Sequence, residues 1–256
     1  MSILNFLEKA VDQFYSMIPR HTPDVSKIKN ARIVAHRGAH SPKQLIENTL
    51  PAFEKAYQLG CFGIELDIHE TSDSDIVVNH DPTLKRLWQQ DLMIKETPLS
   101  VIREKAPMVP TLDEVIQQYA GKIHLFIEIK EPLKSHTKLN QILNHLKPVQ
   151  DYHLISLNQH ILQNLEGFPK ESLLLVADFN KTQSFVKQSI EKPYGGVLGH
   201  YLLLTKHKTK QLKSHNQLTG VGFIDSKNNL YRALNQDIDY IFTNQARYIT
   251  NLTKVI

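Results

Sequence analysis

His36-Arg37-Gly38 closes an apolar run, and Glu47-Asn48-Thr49 follows at the start of a helical stretch. Next, Ile64-Glu65-Leu66-Asp67-Ile68 sets two carboxylates two residues apart, and His80-Asp81 comes after them. Residues two apart on a strand share a face, so Glu65 and Asp67 point the same way. A strand this apolar buries two acids only beside a strong partner, because a lone buried carboxylate is very costly. Glu128 ends the next parallel run, Leu125-Phe126-Ile127-Glu128-Ile129-Lys130. Three converging carboxylates without Cys or His are hard oxygen ligands. They suit one divalent ion, Mg²⁺ or Ca²⁺ or else Mn²⁺, and are a poor set for structural zinc.

Around this metal-grade set stand groups suited to phosphate chemistry. His36 ends the first strand and His80 ends a later one, which fits the two proton transfers of phosphodiester cleavage. Arg37 carries a planar fork of donors that matches phosphate oxygens. Lys130 shares a face with Glu128 and reads as a second phosphate contact, with an acid-neutralising ion pair as the alternative. Gly38 lets the backbone turn tightly over the site. Glu47 stays open between a site residue and an ordinary first-turn acid, with Asn48 or Thr49 as the helix cap. His69 and His200, both at strand ends, are candidates for the pocket lining, and no other histidine is assigned a role.

These residues need a scaffold that brings strand ends together. Strand periods fall at 31–36, 62–69, 75–80, 123–129, 152–156, 172–177, 195–199, 219–224 and 239–242. Helical periods lie between most of them, at 47–59, 111–120, 136–147, 159–166, 180–190, 205–216 and 227–235. Short Ile/Leu/Val-rich strands alternating with helices predict a TIM (βα)8 barrel, an α/β fold. The alternative, an open doubly wound sheet, lacks the companion glycines of a dinucleotide loop after Gly38. The link from His69 to Asp75 is too short for a parallel crossover, so 75–80 must return antiparallel to 62–69. With the turn at Asp73, residue numbers summing to about 146 pair, which brings His80 back level with Leu66 as an extra strand at the mouth. Residues 85–110 read as irregular and are expected to lie over the mouth, and Thr111 reads as the cap of the helix carrying Asp113 and Glu114.

With 256 residues the chain matches a single barrel in length, and 41% hydrophobic residues suffice for its core. Between Glu47 and Asp81 there are eight acids and one base, whereas from Lys130 onward bases outnumber acids 16 to 9. An acidic cluster in a mildly basic chain points to a local cation and away from nucleic acid. Cys61 is the only cysteine, so no intrachain disulfide forms and a cytoplasmic location is expected. No apolar run spans a membrane. Residues 3–18 carry a helical stripe of Leu4, Leu7, Val11, Phe14 and Ile18, interrupted by Glu8, Lys9 and Asp12, which excludes a signal-peptide core. That helix is expected to pack on the domain, closing the barrel floor, with lipid-surface contact as the alternative. The division expected is 1–28 as N-terminal helix and linker, and 29–256 as barrel domain. Lys206, His207, Lys208, Lys210 and Lys213 form a basic run that reads as a solvated face, or as a contact for anionic lipid.

The series His36-Arg37-Gly38, Glu47-Asn48-Thr49, Glu65-Leu66-Asp67, His80-Asp81-Pro82-Thr83-Leu84 and Glu128-Ile129-Lys130 resembles the glycerophosphodiester phosphodiesterase family. Pro110-Thr111-Leu112-Asp113-Glu114-Val115 and Asp239-Tyr240-Ile241-Phe242-Thr243-Asn244 extend the likeness to about 30–250. The resemblance implies a TIM barrel that hydrolyses glycerophosphodiesters to glycerol 3-phosphate and an alcohol with a divalent metal. It implies His36 and His80 as the acid/base pair, and Glu65, Asp67 and Glu128 as metal ligands. Arg37 and Lys130 would hold the phosphate. Ile46 stands where the family commonly has proline. Phe223 falls where a late strand often carries tryptophan, so it is a candidate apolar wall. No large inserted domain fits between Asp81 and Ile123.

No protein nucleophile is evident, so attack by the substrate's own neighbouring hydroxyl is expected, through a cyclic 1,2-phosphate. The expected partner is a small glycerophosphodiester. Two alternatives remain: a lysophospholipase D working at a membrane surface, and a non-enzymatic barrel that binds phosphate ligands.

Overall fold

A computed structural model describes residues 11–41, 44–134, 136–178, 181–192 and 194–254. Nine strands are present among them: β1 (Arg32–Ala35), β2 (Gly63–Glu70), β3 (Ile76–Val78), β4 (His124–Ile129), β5 (Tyr152–Ser156), β6 (Leu173–Ala177), β7 (Gly196–His200), β8 (Leu218–Gly222) and β9 (Tyr240–Thr243). The sheet order is β1-β9-β8-β7-β6-β5-β4-β2-β3, and a β1–β2 pairing closes eight parallel strands into a barrel. This is a TIM barrel, and its strands fall where the periodicity of the sequence places them.

β3 is the extra strand. It runs antiparallel to β2, with Ile68 opposite Val78 and Glu70 opposite Ile76, the register the short 69–75 link requires. His80 therefore returns to the level of the β2 carboxylates.

The described part of α1 covers 11–17. After it come α2 (Val25–Lys29), α3 (Leu50–Gln58), α4 (Lys85–Trp88), α5 (Leu99–Lys105), α6 (Leu112–Tyr119), α7 (Thr137–Leu143) and α8 (Gln159–Gln163). The last four are α9 (Thr182–Glu191), α10 (Lys206–Lys213), α11 (Lys227–Asn235) and α12 (Ala246–Lys254). Thr111 caps α6 through a reciprocal capping box with Glu114, which satisfies two otherwise orphaned N–H groups.

Two cores result from the strand alternation. Outward residues such as Ile64, Leu66, Ile68, Leu125 and Ile127 are buried under the helices. Inward residues Val34, Phe126, Ile155, Leu174, Leu198, Tyr240 and Phe242 fill the barrel. Polar residues are admitted to the interior mainly at its two ends.

Two expectations need correction. Segment 85–110 is not irregular: it folds α4, a 3-10 turn and α5 around Leu84, Ile94, Ile102, Ala106 and Val109, packed on Val77 of β3. The N-terminal helix does not close the floor. Its described part sits at the mouth end, where Asp12 accepts from the Tyr201 hydroxyl (2.8 Å) and the Ser16 carbonyl accepts from Asn228 (2.8 Å). Val11 and Phe14, members of the expected inward stripe, face solvent, while Leu4 and Leu7 lie outside the described residues. α2 lies at the floor end instead: Ile28 is buried and Lys27 pairs with Asp237, just before β9 (2.7 Å).

Candidate active site

β2 is apolar on its outer face because helices cover it, so Glu65 and Asp67 can only point inward. Both are buried, and Asp67 stands level with Glu128 across the β2–β4 ladder. One carboxylate oxygen from each of Glu65, Asp67 and Glu128 falls within 4.8 Å of the others. Glu65 Oε1 is buried with no hydrogen-bond partner. Burial, then the charges of Asp67 and Glu128, push the Glu65 carboxyl well above its usual range. Glu128 is likewise raised by burial to about 7, against the pull of Lys130. Burial would raise Asp67 too, but Lys130 and Arg37 hold it down to about 2. An orphaned buried oxygen and two carboxyls that resist ionisation describe a site short of positive charge. A hard divalent cation fits that deficit and that donor set.

Two protein cations partly fill it. Lys130 Nζ lies 2.9 Å from both Asp67 Oδ1 and Glu128 Oε1, although its approach to Asp67 lacks hydrogen-bond alignment. This is the ion-pair alternative for Lys130, and it leaves the ammonium at the cavity wall. Arg37 donates its backbone N–H to Glu65 Oε2 (3.0 Å), and its guanidinium donates to Glu47 Oε1 (2.9 Å). That geometry needs a left-handed backbone at Arg37 (φ 55°), followed by Gly38 at φ 80°. A Cβ at Gly38 would sit 2.9 Å from the Ala52 backbone and the Phe53 ring, so glycine is required there.

His36 and His80 both line the one cavity that Glu65 and Glu128 also line. Asp225 accepts from the Asn244 amide Nδ2 (3.4 Å) and backbone N–H (2.8 Å), which turns Asn244 Oδ1 toward His36. The 2.7 Å contact between that oxygen and His36 Nδ1 makes Nδ1 the N–H and leaves Nε2 as the free base. Burial, then the Arg37 charge, lowers the His36 pKa to about 4. Its side chain keeps 23% of its surface exposed. His80 Nδ1 contacts Asp81 Oδ1 (2.8 Å), a carboxylate partner where His36 has an amide. Burial lowers the His80 pKa as well, and Asp67 and Asp81 oppose that.

Three residues important to this geometry were not singled out for it in the sequence. Asn48, at φ 57°, is buried and brackets Asp67 with both amide atoms, at 2.7 Å and 3.3 Å. It is a carboxylate clamp, not the helix cap. Thr49 takes the cap position, but its hydroxyl bonds the Ile46 carbonyl. Arg86 bridges Glu47 (2.7 Å) and Asp81 (2.5 Å), tying the Arg37 side of the mouth to the His80 side. Asn244, quoted only as part of a terminal motif, sets the His36 tautomer. His40, assigned no role, also faces Glu47 and Asn244. Glu47 is thus held among site residues. His69 supports the His80 carbonyl (3.1 Å), whereas His200 lines the cavity.

The cavity holds about 330 Å³, and its far wall is apolar: Leu157, Val176, Leu198, Phe223 and Phe242. Phe223 stands edge-on to His36 and close to His200 at the rim.

A phosphate-sized anion with an apolar neighbour suits such a mouth, and the comparisons with known proteins agree. Residues 36–161 match the model of the glycerophosphoryl diester phosphodiesterase family. A glycerophosphodiester phosphodiesterase from Caldanaerobacter subterraneus subsp. tengcongensis is 26% identical over 87% of this chain and 97% of its own. A lysophospholipase D from Homo sapiens is 43% identical over 101 residues, 38% of this chain and 31% of its own. The fold matches that of an Oleispira antarctica phosphodiesterase solved with the product sn-glycerol-3-phosphate. That likeness has a TM-score of 0.71 at 22% identity, covering 87% of this chain and 96% of that one. The chain is an enzyme, a phosphoric diester hydrolase built on a TIM barrel. The family model and the full-length relatives together support its place in the glycerophosphodiester phosphodiesterase family.

Proposed function

We propose that the chain cleaves glycerophosphodiesters to sn-glycerol 3-phosphate and an alcohol by two-histidine acid/base catalysis. The observation that carries this reading is one cavity in which His36 and His80 flank the buried Glu65, Asp67 and Glu128 set. A divalent ion, Mg²⁺, Ca²⁺ or Mn²⁺, held by those three carboxylates would supply charge to the phosphate oxygens and lower the pKa of the attacking hydroxyl.

The protein groups do the rest. Arg37 and Lys130 grip the phosphate and set the glycerol 2-hydroxyl against phosphorus, an intramolecular geometry that contributes up to ~7–11 kcal/mol. His36 Nε2 takes the hydroxyl proton as the new O–P bond forms. His80, whose protonated form Asp81 favours, gives its Nε2 proton to the departing alcohol oxygen as the old P–O bond breaks. The product of this step is the cyclic 1,2-phosphate. Water then attacks phosphorus, His80 takes a proton from it, and His36 returns its proton to the 2-oxygen as the bond between phosphorus and that oxygen breaks.

The test is a panel of glycerophosphodiesters assayed for glycerol 3-phosphate release, alongside an analogue lacking the 2-hydroxyl. The analogue should bind yet turn over at least ~10²-fold more slowly. Equal turnover would replace the cyclic intermediate with direct attack by water.

A second reading, lysophospholipase D activity, is favoured by the apolar cavity wall around Phe223. Faster turnover of lysophosphatidylcholine than of glycerophosphocholine would select it. Ligand binding without turnover of either would leave a binding barrel.

A further inference from the structure

α1 presents its polar and aromatic side to the barrel and its apolar side to water. Asp12 and Tyr15 engage Tyr201, Tyr15 also carries the Arg232 guanidinium over its ring, and Ser16 engages Asn228. These anchors fix the helix's rotation. The outward face is then Val11, Phe14 and Met17, spaced three apart on one side and 42%, 58% and 64% exposed. An amphipathic helix docked with its apolar stripe outward is the reverse of ordinary packing.

The position of that stripe matters. Tyr201 follows β7 and Asn228 opens α11, so both anchors belong to the mouth end of the barrel. On the same rim Phe223 is 48% exposed and also lines the cavity, so apolar surface borders the catalytic cavity itself. Cations share this end. α10 begins Lys206-His207-Lys208 and α11 begins with Lys227, and neither helix has an acid in its first turn. Cations there oppose the helix macrodipole and add to its positive end. Lys206, His207 and Lys227 are exposed. Apolar side chains with flanking lysines around one opening match a bilayer with negative headgroups, which takes up the first and attracts the second.

We propose that the mouth face, built from the outward stripe of α1 and the first turns of α10 and α11, docks on the surface of an anionic lipid bilayer. Docking is peripheral, because no helix among the described residues is long and apolar enough to cross a membrane. It turns the cavity toward the lipid surface. The inference stands on the exposed groups alone, and it needs no assumption about turnover.

The full-length protein is co-sedimented at low salt with vesicles of phosphatidylcholine alone and with vesicles also containing phosphatidylserine. Wild type is expected to bind the second kind much more tightly and to be released by added salt. Phe14→Asp/Met17→Asp should weaken that binding by at least ~10-fold, the scale of one large apolar side chain. Lys206→Glu/Lys227→Glu should remove the preference for phosphatidylserine. Both variants should keep wild-type far-UV circular dichroism, and Phe14→Ser serves as a milder replacement. Wild type that stays in the supernatant, or a Phe14→Asp/Met17→Asp variant that binds like wild type, overturns the proposal. So does a wild-type dimer that these substitutions dissociate, because the stripe would then face a second copy.

Discussion

At the scale of the residue, the account depends on two histidines whose Nδ1 atoms are held by unlike partners, an amide for His36 and a carboxylate for His80. His36→Ala and His80→Ala are each expected to lower turnover by at least ~10²-fold, with the melting temperature nearly unchanged. Near-wild-type turnover in either variant would remove that residue from the mechanism. The placement of His36, Arg37, Glu65, His80, Glu128 and Lys130 in one cavity, with Asp67 buried beside Glu65 and Glu128, was legible in the sequence. Strand period fixes side-chain direction, and a buried acid on an apolar strand has few explanations. Asn48, Arg86 and Asn244 were not legible as site supports. Each acts through a partner remote in sequence, and Asn48 does so from a left-handed backbone that its residue type only permits.

At the scale of the element, the β2–β3 hairpin and segment 85–110 together build one side of the mouth. The hairpin register followed from the short 69–75 link, because the antiparallel return was forced. Segment 85–110 was opaque: its helices are a single turn or two, too short for a clear period. Yet α4 carries Arg86, whose fork clamps Glu47 and Asp81 at once. Arg86→Ala is expected to lower kcat by ~10-fold or more with a smaller change in KM, since it frees both Arg37 and His80 from their supports. Arg86→Lys should recover only part of the loss, because an ammonium cannot span two carboxylates as a planar fork does. Steady-state kinetics of the two variants check this, and unchanged kcat in Arg86→Ala would refute the clamp. α1 also misled the sequence reading. Its stripe has the period of a packed helix, while the anchors that turn it outward are single residues on β7–α10 and α11.

At the scale of the whole molecule, the barrel carries polar groups at both ends, with different consequences. In the floor, His124 Nδ1 donates to the Gln150 carbonyl (3.0 Å), so its Nε2 accepts from His153 Nδ1 (2.8 Å). His153 Nε2 is left buried without a partner. Burial lowers the two pKa values from 6.5 to about 4 for His124 and about 3 for His153. The unfolded chain therefore binds more protons than the folded one between those values and 6.5. The contribution of this pair to stability is complete above that window and falls as pH drops through it. The share of the melting temperature owed to this pair, read as the difference from a variant lacking both imidazole rings, should be constant above about pH 6.5 and decline below it. The raised Glu65 and Glu128 carboxyls act in the opposite sense. A His124→Phe/His153→Phe variant should decline less, and an equal decline would place the acid sensitivity elsewhere. At the mouth, Lys130 and Arg37 offset only part of the charge of three buried carboxyl groups, and the proposed divalent ion supplies the rest. The most direct test is glycerol 3-phosphate release from glycerophosphocholine by chelated protein, with Mg²⁺, Ca²⁺ and Mn²⁺ restored one at a time. Activity should vanish on chelation and return with at least one of these ions in wild type but not in Asp67→Ala. Full turnover in excess chelator would contradict the account.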